Sequence, residues 1–574
     1  MCIIDPENPF IMVKKIFTFF NTEISGLHEA AYLLAFSSLL SQVLALFRDR
    51  LLASSFGAGV SLDLYYSAFR IPDLIFATLG GIVSASIILP FFMAKNDADK
   101  QVAKDFFETV FNYYFLSIAT VSLVVFIFSP YILRIIFPAF YGTSQFGTLV
   151  MMNRVLLLSP ILLGLSNLFS TVSQAYRRFF IYSVSPILYN LGIICGVIFL
   201  YPLFGIAGLA MGVVLGAFLH FFAQVPFAVS KNMWPHFRMP RTLITRFGSI
   251  KKIIFISIPR TIAISSNEIT ELFLISFASF LLPGSISIFN FAFNLQSVPF
   301  AIVGISYSMA AFPTLAKHFN NGEHDKFVEE MSTSSRHIIF WSLPISVLFV
   351  VLRAQIVRVI LGAGQFNWND TRLTAAALAI FTFSLIAQNM TNLFMRSYYS
   401  RGKTRVPLIM NLISSVVMVA SSYFLVHFFN HDLLFKNFME CLLKVSDIPG
   451  TVVLMLPLGY SIGTLVNMVL HWFDFQHEFP SYSKKVLRTF FQIFGSALIM
   501  GFVVYISLNY FDDIFNIQTT FGIFLQGFLS GLCGVTSGII VLILLKNEEL
   551  LEVWKTLHHK IWRAKVVGPD ATLN

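Results

Sequence analysis

Long apolar runs constrain this chain more than any other feature of its sequence. A helix that crosses a bilayer needs roughly 20 consecutive apolar residues, and about fourteen runs meet that criterion. They centre on residues 30–53, 62–92, 106–128, 147–173, 183–201, 205–228, 252–281, 286–315, 337–359, 371–397, 406–428, 451–472, 487–510 and 521–545. Only 12% of the residues are charged, which excludes an ordinary soluble domain. The sequence therefore predicts an all-α polytopic membrane protein with about fourteen transmembrane helices.

The basic residues lie mainly in alternate loops between these runs. Lys and Arg cluster in loops such as 95–104, 231–246 and 401–405, whereas the opposite loops are uncharged or acidic, as at Asp512-Asp513. Because basic loops stay in the cytoplasm, both termini are predicted to be cytoplasmic. The net charge of +10 follows from these loops, so membrane lipids are expected partners and nucleic acid is not.

A long basic loop near the middle of the chain divides the first twelve predicted helices into two groups of six, and two helices follow them. The predicted segments are an N-terminal cytoplasmic or interfacial segment at 1–27, an N-lobe at 28–230, a basic cytoplasmic linker at 231–251, a C-lobe at 252–475, two additional helices at 476–546, and a cytoplasmic tail at 547–574. The segment 431–450 is longer than the other external loops and predicts a short interfacial helix.

Both predicted lobes contain prolines where a helix is expected to break. The second predicted helix should break at Pro72 and at Gly80-Gly81, the seventh at Pro259, and the eighth at Pro299. Broken helices in corresponding positions of two repeats build the central site of many transporters. The pattern therefore favours a transport protein.

Charged residues also occur inside the first two apolar runs. They are Arg48 and Asp49, Asp63 after the Gly57-Ala58-Gly59 turn, and Arg70. Charges at bilayer depth are costly and usually face the bundle interior or a water-filled cavity. These residues therefore predict one wall of a polar path, although the neighbouring Arg50 also fits an interfacial anchor that reaches the headgroups.

The seventh predicted helix carries a second polar stripe. Glu268 and Glu271 are spaced i, i+3, and Arg260 precedes Glu268 by about two turns on the same side. The stripe fits a cavity wall that takes up a sodium ion or a proton, or a structural stripe neutralised by neighbouring helices. The next helix adds Asn290, Asn294 and Gln296, which can bond to substrate or to other helices.

No enzyme motif accompanies these residues. The chain contains no G-x-S-x-G, H-E-x-x-H or Walker A sequence. Its four cysteines are scattered and form no C-x-x-C pair, so neither a metal site nor a cofactor is predicted. We therefore expect transport and not catalysis.

Four segments together resemble the MurJ/MviN lipid II flippases. They are FRDRLLASSFGAG with Asp63 and FRIPD, the stretch 277–319, LGAGQFNWNDT at 361–371, and YYSRGKTRVP at 398–407. The resemblance implies a multidrug/oligosaccharidyl-lipid/polysaccharide exporter fold, with two six-helix lobes around a central cavity and two additional C-terminal helices. It also implies a bacterial inner-membrane protein that moves lipid II, the undecaprenyl-pyrophosphate-linked peptidoglycan precursor, from the inner to the outer leaflet by alternating access.

The resemblance assigns roles to individual positions. Arg48 and Asp49 match the family's Arg-Asp pair, Asp63 its acidic residue after the glycine-rich turn, and Arg70 the basic residue before the proline. The chain departs from many proteobacterial members, which carry cavity arginines and a glutamate, at Gln42, Ala77, Asn294 and Ser297. Arg260 is expected to restore one cation.

Arginine suits the predicted substrate because its planar fork binds phosphate oxygens at two points. Arg48 is the first candidate for this role and Arg260 the second, with Arg70 and Asn294 as further substrate ligands. Asp49, Asp63, Glu268 and Glu271 are the candidate cavity or coupling acids. Three alternatives stay open: a flippase for another polyprenyl-linked glycan, a cation-coupled exporter of the same superfamily, and a non-transporting envelope scaffold.

Overall fold

The computed structural model describes residues 27–562, except positions 84, 177, 238 and 239. Side chains are also outside the description at 27–32, 85–87, 90, 240–247, 249–250, 252–256, 259–260 and 556–562. The predicted N-terminal interfacial segment and the end of the predicted tail therefore lie outside the described residues. So does the side chain of Arg260, although its backbone is helical.

Helices dominate the described part of the chain and no strand occurs in it, which confirms the all-α prediction. The helices of the first half are α1 (Leu27–Phe56), α2 (Val60–Ile82), α3 (Ala85–Ala98), α4 (Lys100–Ile136), α5 (Gln145–Leu156), α6 (Leu158–Ala175), α7 (Phe179–Cys195), α8 (Tyr201–Phe204), α9 (Ile206–Ser230) and α10 (Pro240–Ser279). A π-helical turn, Gly196–Leu200, joins α7 to α8.

The second half contains twelve more helices. They are α11 (Ser285–Pro299), α12 (Ser306–Asn320), α13 (His324–Val351), α14 (Arg353–Ile360), α15 (Trp368–Phe383), α16 (Leu385–Ser400), α17 (Arg405–His431), α18 (Leu433–Leu443), α19 (Met455–Glu478), α20 (Tyr482–Asp512), α21 (Thr520–Leu544) and α22 (Glu548–Trp562). Short helical turns cover Pro138–Phe140, Phe300–Ile305 and Thr451–Leu454.

Ten helical segments in the described residues are long and apolar enough to span a membrane. The pair α15 and α16, bent by 41°, makes an eleventh if it forms one span. The other three predicted spans fall on α1, on α2 with α3, and on α10. In α2 the charged residues Asp63, Arg70 and Asp73 lower the apolar content. The chain is thus a multi-span membrane protein, and the total of fourteen stays a prediction.

The structure corrects two of the predicted proline breaks. Helix α2 continues through Pro72 to Ile82, and α10 continues through position 259. A proline in a helix leaves the carbonyl four residues earlier without its donor. For Pro72 that carbonyl is Ala68 O, and the side chain of Asn153 on α5 donates to it at 2.9 Å. A neighbouring helix therefore satisfies the freed group and the helix does not break. After Pro299 the α-helix passes into a π-helical turn and then continues to Asn320, so the helix is distorted there but does not end.

The segment 431–450 contains the predicted short helix, α18. Asp432 caps it by accepting a hydrogen bond from Phe435 N at 2.7 Å, and Lys444 ends it with a φ of +59°. Arg372 binds the following turn through Asp447, at 2.7 and 2.6 Å. This exposed pair holds the pKa of the Asp447 carboxyl below its usual range, because the guanidinium bonds to the ionised form.

The described chain forms two compact units. Unit 1 comprises the described residues up to Phe291, together with Ile360–Leu373 and Asn411–Gly459. Within it α7 and α9 approach closely: a Cβ added at Gly192 would lie 2.2 Å from Gly216 Cα. Such small residues let helix backbones pack where the lipid supplies no hydrophobic drive.

Unit 2 comprises Ala292–Val359, Thr374–Met410 and the described residues from Tyr460 onward. Its core is aromatic, with Tyr482 packed edge-on against Phe394 and Phe475 between α16, α19 and α20. Arg401 lies over the ring of Phe475 with no exposed side-chain surface, and it pairs with Glu478 at 2.6 Å. The charge is thereby satisfied inside unit 2.

Candidate functional site

Helix α2 carries three of the charged residues that build the candidate site. Asp63, Arg70 and Asp73 are spaced by seven and three residues, so they lie along one face of the helix. Asp63 and Arg70 are 5% and 9% exposed, and Asp73 is half-buried. All three side chains lie within unit 1, together with the groups that compensate their charges.

Arg70 is the centre of the first cluster. Its Nη1 donates to Glu271 Oε2 at 2.7 Å, and its Nη2 donates to Asn290 Oδ1 at 2.5 Å. Its Nε is buried and has no hydrogen-bond partner among the described residues. Arg70 therefore joins α2 to α10 and α11 and retains one unused donor.

Two more carboxylates lie within electrostatic range of this pair. Asp73 interacts with both Arg70 and Glu271, and Glu268 interacts with Glu271, Asp73 and Arg70. Neither Asp73 nor Glu268 forms an ion pair in the described part of the chain. Asp73 also lines a cavity of about 20 Å³ beside Ser159, room for about one water molecule. The cluster thus holds one guanidinium and three carboxylates.

Arg48 is the centre of the second cluster. Its Nε and Nη2 donate to Asp49 Oδ1 at 3.0 and 2.8 Å, and its Nη1 donates to Asn190 Oδ1 at 3.1 Å. Asn190 is fixed in turn by bonds from its Nδ2 to Ser41 Oγ and Pro186 O. The guanidinium is therefore oriented by α7 as well as by its sequence neighbour.

Tyrosines connect the surroundings of the two arginines. Tyr66 lies within electrostatic range of both Arg48 and Arg70, and its buried hydroxyl has no partner among the described residues. Tyr189 lies within range of Arg48 and Asp73. The two clusters are therefore neighbours, with an unused hydroxyl donor between them.

Asp63 has a different environment. Its carboxylate accepts hydrogen bonds from Gly284 N at 2.6 Å, Ser287 N at 2.8 Å and Ser287 Oγ at 2.7 Å. These donors lie at the start of α11, where helical N–H groups lack partners and the helix dipole favours an anion. Asp63 therefore caps α11, whereas Asp49 accepts hydrogen bonds from the Arg48 guanidinium.

The same end of unit 1 brings three turns together, which we call the turn junction: residues 56–60, 280–285 and 360–370. Gln365 N donates to Ser54 O at 2.9 Å, and Arg50 Nη1 donates to Ile360 O at 3.2 Å. Gly284 has a φ of +93°, and a Cβ there would lie 2.3 Å from Ala58 O. The junction is therefore built mainly from backbone contacts, and Arg50 belongs to it.

The structure brings together most of the predicted site residues. Arg48 with Asp49 and Arg70 with Glu271 form pairs, and Glu268 lies near the second pair. Asn294 is half-buried further along α11, in unit 2. The site residues that sequence analysis missed are Asp73, Asn190 and Tyr66. Only Asp73 carried a signal, since it is a third charge one turn after Arg70 on the same helix.

The charge balance limits what the site can do. Among the side chains that the structure describes, Arg48 and Arg70 supply two positive groups, against four carboxylates: Asp49, Glu271, Asp73 and Glu268. A site with this excess binds an anion only if a carboxylate takes up a proton, a cation enters, or an arginine exchanges its carboxylate partner for the anion. The donors suited to such an exchange are the guanidinium forks and the Tyr66 hydroxyl.

Buried arginine–carboxylate pairs among the helices of a multi-span membrane protein are typical of polytopic membrane transporters. The fold agrees: it is similar to the solved structure "Lipid II flippase MurJ, inward closed conformation", with a TM-score of 0.71 and 21% identity over 90% of this chain and 100% of that one. It is also similar to an inward-facing multidrug resistance MATE family transporter of the MOP superfamily, with a TM-score of 0.61 and 16% identity over 77% and 96%.

The family is shown by sequence. The family model "Lipid II flippase MurJ" matches residues 52–526, and the chain belongs to this family. It is 27% identical to the probable lipid II flippase MurJ of Buchnera aphidicola subsp. Schizaphis graminum, covering 85% of this chain and 92% of that one. It is 25% identical to the probable lipid II flippase MurJ of Thermotoga maritima, covering 92% and 98%.

Proposed function

We propose that this chain is a transporter, not an enzyme, that moves lipid II from the inner to the outer leaflet of the bacterial inner membrane. The observation that carries the proposal is the oriented Arg48 fork beside Asn190 and near the unused Tyr66 hydroxyl, in a chain of this family. A pyrophosphate cannot cross hydrocarbon unaided, and a guanidinium fork binds phosphate oxygens at two points. The predicted cytoplasmic position of both termini belongs to the same proposal.

Substrate binding then requires an exchange of partners. Every nitrogen of Arg48 is engaged, two with Asp49 and one with Asn190. A pyrophosphate oxygen would replace Asp49 Oδ1, while Asn190 keeps the guanidinium in place. Arg70 would add its unused Nε, and Asn294 and Arg260 stay further candidate ligands. The head of the lipid would thus be held by forks that already exist.

Alternating access is the transport cycle that we propose. The two lobes, residues 28–230 and 252–475, would rock about the substrate, and the turn junction would open in one state. Its contacts support this role, because single hydrogen bonds such as Gln365 N to Ser54 O can be exchanged for water when the turns part.

The carboxylates around Arg70 would couple transport to an ion. Among the described side chains, Glu268, Glu271 and Asp73 share one positive group, Arg70, so one of them would take up a proton or accompany a sodium ion. An anionic substrate would be admitted more easily once this negative charge is reduced. Uptake of the proton or sodium ion before the substrate enters would link the ion gradient to the movement of the lipid.

Reconstitution with lipid II tests the proposal. We expect liposomes with the wild-type protein to expose lipid II on the opposite leaflet, and the Arg48→Ala variant to fail at normal protein levels. Arg48→Lys should restore transport only partly, because a point charge lacks the fork. Arg134→Ala is the control, since Arg134 is exposed and stacks on Tyr141 at 4.2 Å.

Other outcomes separate the alternatives. Transport of another polyprenyl-linked glycan, but not of lipid II, would contradict the substrate assignment. Export of a cationic drug without lipid movement would identify a cation-coupled exporter. If neither is moved, and the protein does not restore lipid II exposure on the outer leaflet of cells depleted of their own flippase, a scaffold role would replace the proposal.

A further inference from the structure

An apolar cleft lies on unit 1 between α4 and the helices α5 and α6. Its volume is about 710 Å³, within the range of sites that hold one small molecule. Leu123 and Leu158 line it and are more than half exposed, as expected for surfaces that face lipid tails. Among the lining residues only Arg154 and Ser122 have polar side chains.

Arg154 has a structural task that occupies only part of its guanidinium. Its Nε donates to Phe126 O at 3.1 Å and to Ser129 Oγ at 3.0 Å. Phe126 O is the carbonyl that Pro130 leaves without a backbone donor, and both Arg154 Nε and Ser129 Oγ donate to it. The guanidinium carbon lies 4.9 Å from the centre of the Phe126 ring. No hydrogen bond uses Nη1 or Nη2 within the described residues.

The charge of Arg154 is also uncompensated. No carboxylate pairs with it in the part of the chain that the structure describes, although it lies within a segment apolar enough to span the membrane, Gln145–Ala175. A charge at such a position normally has a partner. An anion from outside the described residues would compensate this charge.

Ser122 supplies a second, independent observation. Its side chain is 3% exposed, and its hydroxyl has no hydrogen-bond partner among the described residues. Ser122 precedes Phe126 by one turn of α4. Along the helix axis it therefore lies about 6 Å from the position where Arg154 bonds to Phe126 O. Buried hydroxyl groups are normally bonded, so an acceptor is expected beside it.

We propose that this cleft binds one anionic glycerophospholipid of the membrane. The phosphate pairs with Nη1 and Nη2 of Arg154, an ester carbonyl accepts from Ser122 Oγ, and an acyl chain fills the cleft toward Ala119. In a glycerophospholipid only the glycerol backbone separates the ester carbonyls from the phosphate. The two groups can therefore reach two donors whose levels differ by about 6 Å. A polyprenyl phosphate has no ester carbonyl, so the polyprenyl substrate is a poorer match for this cleft.

Lipid binding to the purified full-length protein tests the proposal. We would titrate phosphatidylglycerol and count bound lipids by native mass spectrometry. Arg154→Leu should bind this lipid about tenfold more weakly, the loss expected when bonds to a charged group disappear. Because that variant also loses the Nε bond to α4, a second variant leaves Arg154 intact. Gly147→Leu places its side chain in the cleft, and a Cβ there meets no atom within 4 Å.

Controls decide between the possible ligands. Arg134→Leu removes a nearby cation that does not line the cleft and should bind phosphatidylglycerol like the wild type. Diether phosphatidylglycerol lacks the ester carbonyls and should bind more weakly than the diester to the wild type but equally to Ser122→Ala. Unchanged binding in both Arg154→Leu and Gly147→Leu would overturn the proposal. Equal binding of zwitterionic phosphatidylethanolamine, or stronger binding of undecaprenyl phosphate, would also overturn it.

Discussion

Asp63 and Arg70 lie on the same helix, two turns apart, yet their buried charges are compensated in opposite ways. Asp63 is held by two backbone N–H groups and one hydroxyl at the start of α11. Arg70 is held by side chains, with Glu271 at 2.7 Å and two more carboxylates nearby. Backbone donors cannot change their charge or rotate away, whereas carboxylates can be protonated and arginines can change partners. The comparison separates a contact whose donors keep their charge from one whose charges can change.

The largest effect should come from Arg70→Ala. The substitution leaves Glu271, Asp73 and Glu268 without a cation among the described residues, and removing one partner of a buried pair costs about 3–5 kcal/mol. We expect the variant to be scarce in membranes and to unfold at lower temperature in detergent. Glu271→Gln is the matched control: Asp73 and Glu268 still balance Arg70, so its loss of stability should be much smaller. Equal losses in the two variants would show that the carboxylates do not substitute for one another.

The asymmetry between these two variants could not have been predicted from the sequence. The charges of Arg48, Asp49, Asp63 and Arg70 are conspicuous because they interrupt apolar runs, and this identified most of the site. The partners of these charges could not be predicted, since the donors to Asp63 lie more than 220 residues away along the chain. No local pattern reports how distant helices are aligned. The effect of Pro72 was mispredicted for the same reason, because its repair depends on Asn153.

The second largest effect should come from Asp63→Ala. The substitution leaves two buried backbone N–H groups at the start of α11 without acceptors, at a cost of about 1–3 kcal/mol each. Asp63→Asn should cost less, because its amide oxygen still accepts a hydrogen bond. Both variants should reduce abundance and the thermal unfolding temperature. If the stability of Asp63→Ala equals that of the wild type, the cap does not hold α11 and the comparison fails.

A smaller effect should separate two glycines that share a positive φ. Gly284 and Gly142 have φ values of +93° and +82°, so an alanine strains either backbone by about 1–3 kcal/mol. Only at Gly284 would the added Cβ also meet a neighbour, Ala58 O at 2.3 Å. Gly284→Ala should therefore lower the unfolding temperature more than Gly142→Ala. Equal shifts in detergent would mean that the turn junction yields easily and adds little to stability.

The smallest effect on stability, and the most informative effect on transport, should come from Asp73→Asn. Asp73 forms no ion pair among the described residues and lies beside a cavity with room for about one water molecule, so neutralising it removes no direct contact. It does reduce the excess of carboxylates around Arg70. If that excess couples transport to an ion, the variant should still bind lipid II, and its transport should depend less on an imposed proton or sodium gradient.

The double variant Glu268→Gln, Glu271→Gln should lose that dependence entirely. Transport assays in liposomes with and without each gradient would measure both effects, with the Asp63→Asn variant as the matched control for a carboxylate bonded to backbone. An unchanged gradient dependence in the double variant would make these carboxylates structural, and the side-chain compensation of Arg70 would then be as fixed as the backbone compensation of Asp63.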